Sequence, residues 1–253
     1  AQGNMDFSIG SACGVAQMCG AILLLHKGWP MPLAMLVTIL IPVVTCCVVS
    51  TIAVVFHVPV FIGSMCVRSL LAGLLTIGVA KQEIVVPVSN WPIMTNGVFK
   101  AIVQVAVIAI GVYLFHFTRI GKWAKAIGGN RNTAKQAGIK IVQQQFLAYV
   151  LLGLCVGIAG VFQLFRNSTV SMGSGSGIEF NIMLAVVLGG FPMSGGDKAT
   201  LPAAVIGAIT ATLLTNGLSM WGLEPSLVNG VKGLIFVIMI GLSYDRSAGK
   251  LVT

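Results

Sequence analysis

Eight long apolar stretches, separated by short polar connections, divide this chain of 253 residues. A helix needs about 20 apolar residues to cross the hydrocarbon core of a bilayer, and most of these stretches supply them. They therefore predict an all-α, polytopic transmembrane bundle with about eight membrane segments. The stretches are residues 7–25, 33–56, 58–80, 97–118, 141–165, 178–192, 200–221 and 226–243.

Composition excludes a soluble globular domain. Only 8% of the residues are charged and 57% are hydrophobic, whereas about 25% of a soluble domain is charged. The six cysteines all lie inside apolar stretches without metal-ligand spacing, so we interpret them as small apolar residues within helices. The net charge of +9 is explained by basic loops on the cytoplasmic side of a membrane protein, without a nucleic-acid partner.

Two Gly/Ser-rich interruptions fall in the apolar pattern, "FSIGSACGVAQMCG" near the start and "SMGSGSGIEFNIMLAVVLGG" in the second half. Interrupted helices at similar places in two halves indicate the solute route in many transporters. The second interruption overlaps the short stretch 178–192, which predicts a broken or re-entrant helix. Two GxxxG pairs, Gly10/Gly14 and Gly153/Gly157, predict close helix packing.

A basic segment, residues 119–140, concentrates the positive charge. It holds six of the 15 Lys and Arg residues and no acid: Arg119, Lys122, Lys125, Arg131, Lys135 and Lys140. Loops rich in Lys and Arg stay in the cytoplasm, which predicts that this segment is cytoplasmic. Counting segments outward then places the connection 81–96 and the stretch "RNSTVSMGSGSG" outside, and "GGFPMSGGDK" and the C-terminal tail inside.

The basic segment also carries the signals of a short helix. Asn130 or Asn132 can cap its N-terminus by accepting hydrogen bonds from free backbone N–H groups. "RNTAKQA" then provides about two turns, and Gly138 provides a left-handed stop. Ala134 and Ala137 give this helix a small-residue face that we expect to sit in the groove of a cytoplasmic partner.

Motifs for enzymatic chemistry are missing from the sequence. It contains no GxxxxGK[ST] phosphate loop, no HExxH and no GxSxG. Its six acids have no neighbouring His with which to perform acid–base work. The chain is therefore predicted to be a translocation subunit without a catalytic residue, cofactor or metal of its own.

Polar groups at membrane depth are costly and so mark candidate functional positions. Arg68 lies in mid-span, which favours a solute-pathway role or a buried partner, whereas Lys232 can equally extend to the membrane surface. Other polar residues either line a solute pathway or make interhelical hydrogen bonds. The pathway candidates are Asp6, Ser8, Arg68, Glu179, Asn181, Asn216 and Asn229.

Four segments resemble the permease subunits of ribose-type ABC importers. They are "DFSIGSACG", "WAKAIGGNRNTAKQAGI", "LAVVLGGFPMSGGDKATLPAAVIGAITATLLTNGLSMWGL" and "VKGLIFVIMIGLSYD", and their order and spacing match the family across nearly the whole chain. Two departures stand out. The family's third-helix Arg is expected beside Gly73, where this chain has Ala72, with Arg68 one turn earlier; the family's "SGGRGT" is "SGGDKAT" here.

The resemblance implies a second permease subunit, as a homo- or heterodimer, two cytoplasmic ATP-binding cassette subunits that hold ATP and Mg²⁺, and an external solute-binding protein. It also implies that residues 1–253 form a single permease domain and that about two further helices of this domain precede residue 1. The segment 119–140 would be the coupling element docked on the ATPase. Its contact residues would be Asn130, Arg131, Ala134, Lys135, Ala137 and Gly138.

The sequence therefore predicts a multi-pass permease of the bacterial inner membrane, surrounded by lipid, that imports a monosaccharide or similar polar solute. A branched-chain amino-acid permease of the same superfamily is the nearest alternative. An ion-coupled carrier or channel that works without ATP is a third. Such carriers commonly keep intramembrane acids for ion relay, and this chain has almost none within its spans.

Overall fold

The computed structural model describes residues 3–25, 27–79, 83–87, 91–191, 195–196 and 200–243. Within them lie eleven α-helices and two short β-strands. The helices are α1 (Ile9–Leu25), α2 (Met31–Val55), α3 (Val60–Val79), α4 (Pro92–Thr95), α5 (Gly97–Phe117), α6 (Arg119–Gly129), α7 (Arg131–Gln136), α8 (Ile141–Asn167), α9 (Ile178–Leu188), α10 (Leu201–Met220) and α11 (Pro225–Ser243), and the strands are β1 (Ile84–Val85) and β2 (Thr169–Val170).

Each predicted apolar stretch is a helix, so the all-α prediction is confirmed, but the count of eight membrane segments is not. Five helices in the described part of the chain are long and apolar enough to cross a bilayer, namely α2, α3, α5, α8 and α10. Three further apolar helical stretches are shorter: α1 (Ile9–Leu25), α9 (Ile178–Leu188) and Leu227–Gly241 within α11.

Helix α9 is short because glycines end it. Its 11 residues rise about 16 Å at 1.5 Å per residue, roughly half the hydrocarbon thickness of a bilayer. Gly190 follows with φ of 71°, a left-handed conformation that stops the helix. The predicted short segment 178–192 is therefore shorter still as a helix.

The centre of the bundle is α1, in which 12 of 17 residues are buried. Helices α2, α3, α8 and α9 pack around it. The second GxxxG pair acts as predicted, because a Cβ on Gly153 or Gly157 would collide with the backbone of α2 near Val43 or Ile39. These two glycines therefore let α8 lie directly against α2.

The outer helices expose apolar side chains. None of the residues of α5 is buried, and α10 buries only Gly207 and Ala211. In a membrane protein such faces are covered by lipid or by a second subunit rather than by water. This outward-facing apolar surface explains why the chain is so hydrophobic while its described core is small.

The connections gather at two ends of the bundle in the way that the predicted sidedness requires. At one end, β1 pairs antiparallel with β2, with Ile84 opposite Val170, and so joins two connections predicted to be external. At the other end, the turn at His57 shares a groove with the basic segment. Gly196 lies near Gly129 at this same end. Most of "SGGDKAT", all of the tail "DRSAGKLVT" and His26 lie outside the described residues.

Candidate functional site

A tight turn before α9 places this helix against the centre of the bundle. Gly175 and Gly177 adopt left-handed φ angles of 84° and 80°, which favour glycine. Gly10 and Gly14 of α1 leave room for this turn, because a Cβ on either would collide with the backbone of residues 174–175. The first GxxxG pair thus packs a helix against a loop, and Glu179 in the first turn of α9 comes to lie over Gly10.

Glu179 forms an ion pair with Arg68 of α3. The Arg68 Nη2 atom lies 2.8 Å from Glu179 Oε1, and the side chains are 29% and 1% exposed respectively. It is the one ion pair among the described residues. A buried carboxylate needs such a partner, because an isolated charge is very costly away from water. Of the two roles predicted for Arg68, the structure thus provides the buried partner, which the sequence pattern had not identified.

Asp6 and Ser8 lie at the start of α1 beside this pair. Asp6 Oδ1 accepts hydrogen bonds from the backbone N–H of Ser8 at 2.8 Å and from its hydroxyl at 2.7 Å. The Phe7 N–H donates to Ser64 Oγ of α3 at 3.1 Å, and the Phe7 ring contacts Phe180 of α9. The junction of α1, α3 and α9 therefore brings together four predicted pathway residues: Asp6, Ser8, Arg68 and Glu179.

The other three pathway candidates are separate from this junction. Lys232 Nζ of α11 donates to Asn181 Oδ1 of α9 at 3.1 Å, so this Lys has a protein partner. Asn216 on α10 and Asn229 on α11 are exposed. Neither makes a hydrogen bond to another helix in the part of the chain that the structure describes.

A polar cleft lies beside β2, at the end of the bundle predicted to be external. Its volume is about 490 Å³, and its described lining residues are all uncharged: Gln163, Asn167, Thr169, Ser171, Gly173, Ser174, Gly175 and Ser176. The Gly/Ser-rich stretch had indicated part of this cleft from the sequence. Asn167 begins the polar stretch predicted to be external, whereas Gln163 had no distinctive signal because it is an isolated polar residue in an apolar helix end.

Gln163 connects the cleft with the interior of the bundle. Its Oε1 atom accepts from Gln17 Nε2 at 3.3 Å and from the Cys13 thiol at 3.5 Å. Gln17 is fully buried, and its Oε1 atom has no hydrogen-bond partner among the described residues. Uncharged amide and thiol groups thus continue from the cleft into α1.

At the opposite end, the basic segment forms a capped helix as predicted. Asn130 is the cap, and its Oδ1 accepts from the N–H groups of Asn132 at 3.0 Å and Thr133 at 3.1 Å. Gly138 has a φ of 81°, and its N–H and that of Ile139 bond back to the carbonyls of residues 135 and 134. These paired bonds make a Schellman stop.

One prediction for this helix is wrong. Ala134 is only 4% exposed and packs against the protein itself, whereas Ala137 is exposed. The two alanines therefore do not share a face that is free to enter a partner's groove. Arg131 and Lys135 are exposed, so the accessible surface of α7 is basic.

Helix α6 was not predicted from the sequence. It precedes α7, with Gly121 packed tightly against the Phe115 backbone and Lys125 Nζ 5.3 Å from the Phe115 ring centre. Ile127 is buried while Lys122 faces outward. This apolar–basic alternation at helical spacing is the available signal, and it is typical of a helix that lies along the membrane surface.

The helical bundle and its outward apolar faces define a multi-pass membrane protein. The chain belongs to the branched-chain amino acid transport system / permease component family, whose profile matches residues 1–240. It is thus a multi-pass protein of the inner membrane, as predicted. No solved structure matches this chain.

Curated relatives confirm the resemblance to sugar importers. The chain is 27% identical over 250 residues to the probable ABC transporter permease protein YphD of Escherichia coli K12, covering 94% of this chain and 73% of that one. It is 32% identical over 128 residues to the ribose import permease protein RbsC of the same organism, covering 51% and 40%. The fructose import permease protein FruG of Bifidobacterium longum is 24% identical over 256 residues, covering 95% and 74%.

Proposed function

We propose that this chain is the membrane-spanning subunit of an ABC importer and that it carries a monosaccharide or similar polar solute inward. The observation that carries this proposal is the uncharged cleft lined by amide and hydroxyl groups. A monosaccharide is neutral and offers hydroxyls in every direction, so such groups can replace its bound water. Relatives named for ribose and fructose import support the same solute class.

The branched-chain amino-acid alternative takes its support from the family's description. A branched-chain amino acid is a zwitterion with an apolar side chain. Its site needs partners for two charges and an apolar pocket, because unpaired charges are costly to desolvate. The described lining of the cleft contains neither a charged nor an apolar side chain, and this favours the sugar. The alternative of an ATP-independent carrier or channel finds no support among these relatives.

We propose further that the solute route leads from the cleft past Gln163 and Gln17. It would continue between this subunit and a second permease subunit, which is either another copy of this chain or a related chain. A second permease subunit would cover part of the exposed apolar surface of α5 and α10. The shorter helices α1, α9 and α11 would lie within the membrane, giving the eight predicted segments. Asp6, Ser8, Arg68 and Glu179 would hold α1, α3 and α9 together beside the route, with Asn181, Asn216 and Asn229 as further polar contacts.

Transport would be driven by separate ATP-binding cassette subunits. Helix α7, with its exposed Ala137 and its two caps at Asn130 and Gly138, would form the coupling element. An external solute-binding protein would deliver the solute to the end that carries β1 and β2. ATP and Mg²⁺ would bind only to the partner subunits.

Uptake into proteoliposomes tests this proposal. The chain is reconstituted with candidate ATP-binding cassette and solute-binding partners from the same genome. Radiolabelled ribose, xylose, fructose, galactose and leucine are then supplied in turn with ATP inside. We expect ATP-dependent accumulation of at least one sugar and none of leucine. Accumulation of leucine alone would establish the amino-acid alternative, and sugar uptake without ATP would contradict the ABC assignment.

A further inference from the structure

A basic groove lies at the end of the bundle opposite the polar cleft. It lies between the α2–α3 turn at His57, helix α7 and the first turn of α8, and its volume is about 740 Å³. Arg131, Lys135 and Lys140 line it, and its described lining includes no Asp or Glu. The groove therefore collects three cations from one short part of the chain.

These three cations have no carboxylate partner among the described residues, where the one ion pair is Arg68–Glu179. The first turn of α8 adds to their field. Ile141 and Val142 line the groove, and Lys140 provides no side-chain cap for this 27-residue helix. The free N–H groups and positive end of a long helix favour an anion. Charge and hydrogen-bond donors thus both indicate an anionic ligand.

Apolar side chains continue from the groove along the membrane-spanning helices. Val142, which lines the groove, is 53% exposed, and Phe146 one turn further along α8 is 45% exposed. Phe56, which precedes His57, is also exposed, at 69%. A small free anion would leave these side chains uncovered. An anion with hydrocarbon chains attached would cover them.

We propose that this groove binds the phosphate headgroup of an anionic phospholipid, with its acyl chains along Val142 and Phe146. Basic pockets at the surface end of membrane helices bind such headgroups because local charge and the negative membrane surface act together. An acidic segment of a partner protein would satisfy the cations but would not use the adjoining lipid-facing surface. The inference goes beyond solute import and does not depend on which solute is carried. The bound lipid would join α7 to α8 and the α2–α3 turn.

Lipid binding to the purified full chain in a neutral detergent tests the proposal. The dissociation constant is measured for short-chain phosphatidylglycerol, for phosphatidylcholine of equal chain length and for inorganic phosphate. We expect phosphatidylglycerol to bind more tightly than both. The double variant Arg131→Gln/Lys140→Gln should bind it about 25-fold more weakly, given roughly fivefold for each cation near a membrane surface.

The matched control is Arg119→Gln/Lys122→Gln, which removes two exposed cations of the same basic segment that do not line the groove. We expect it to bind phosphatidylglycerol as the wild type does. Phe146→Ser should weaken phosphatidylglycerol and leave phosphate unchanged. Circular dichroism checks folding, and if the groove double variant fails to fold, the single exposed change Lys135→Gln should still give about a fivefold loss.

Three outcomes would overturn the proposal. If phosphatidylcholine bound as tightly as phosphatidylglycerol, the negative charge of the headgroup would not be what the groove recognises. Phosphate binding as tight as phosphatidylglycerol, unaffected by Phe146→Ser, would identify a site for free anions. Equal losses in the groove and control double variants would mean that only the total charge of the segment matters.

Discussion

Arg68 on α3 and Glu179 on α9 meet at 2.8 Å across the centre of the bundle, and they differ sharply in exposure. The Arg68 side chain is 29% exposed to water, whereas the Glu179 side chain is 1% exposed. The pair therefore joins two helices that are distant in the chain and makes the carboxylate depend on the guanidinium. Removing the Arg68 charge and removing the Glu179 charge should therefore destabilise the protein by different amounts.

Arg68→Gln should destabilise the protein more than Glu179→Gln. The first change leaves a buried carboxylate without a countercharge, at a cost of about 3 kcal/mol. The second leaves a cation that is partly hydrated, so its cost should be nearer to about 1 kcal/mol. Thermal unfolding in detergent measures both. The double variant Arg68→Gln/Glu179→Gln should unfold at a higher temperature than Arg68→Gln. A larger drop in unfolding temperature for Glu179→Gln than for Arg68→Gln would contradict the conclusion that Glu179 is the more deeply buried partner.

Gly10→Ala should lower the unfolding temperature, because the added methyl group would collide with Glu179 and the carbonyl of Gly175. Overpacking of this kind costs about 1–3 kcal/mol. Gly217→Ala in α10 is the control, since nothing lies within 4 Å of its added Cβ and alanine favours a helix by about 1 kcal/mol. Equal effects of the two changes would show that α1 does not pack on the turn before α9 in this way.

Gly138→Ala should reduce ATP-driven uptake while the transporter still assembles. Gly138 has a φ of 81°, and an L side chain there costs about 1 kcal/mol or more, which loosens the end of α7. Gly129→Ala is the control, because Gly129 lies in α6 with open space around its Cβ. Uptake and solute-stimulated ATP hydrolysis are measured together. Normal coupling in Gly138→Ala would remove α7 from the coupling role.

Ala137→Asp and Ala134→Asp should separate coupling from folding. Ala137 is exposed, so its Asp variant should fold normally and lose coupled ATP hydrolysis. Ala134 is buried, and an Asp there should destabilise the protein because an unpaired charge is desolvated. Detergent-stable yield and coupled hydrolysis distinguish the two effects. A stable, fully coupled Ala137→Asp variant would contradict docking through this face.

Gln163→Met should weaken sugar uptake about tenfold. The change keeps the side-chain volume and removes the hydrogen-bonding groups that join the cleft to Gln17, a loss of about 1.4 kcal/mol. Gln104→Met on the exposed face of α5 is the matched control. Initial uptake rates over a range of sugar concentrations give the effect. An unchanged KM and rate in Gln163→Met would place the solute route elsewhere.

Local patterns in the amino-acid sequence were sufficient for the helices and for the shape of α7. Hydropathy over about 20 residues located the apolar helices, because the need to pair every backbone group in a bilayer acts within each segment. The Asn130 cap and the Gly138 stop were also predictable, because the bonds that make them join residues only two to five positions apart. Helix α6 was missed although its alternation is visible, since its basic residues were attributed to sidedness alone.

Contacts between distant segments were beyond such patterns. Arg68 and Glu179 pair only because α3 and α9 are rotated toward each other, and Gly10 faces the turn before α9 for the same reason. Likewise, the inward direction of Ala134 depends on how α7 lies on the protein surface. The basic groove requires the α2–α3 turn, α7 and the start of α8 to converge. The cleft is lined by the single stretch 163–176, but its link from Gln163 to Gln17 joins two distant helices. Helix rotation and register come from packing over the whole bundle, so only the tertiary structure decided which polar residues meet.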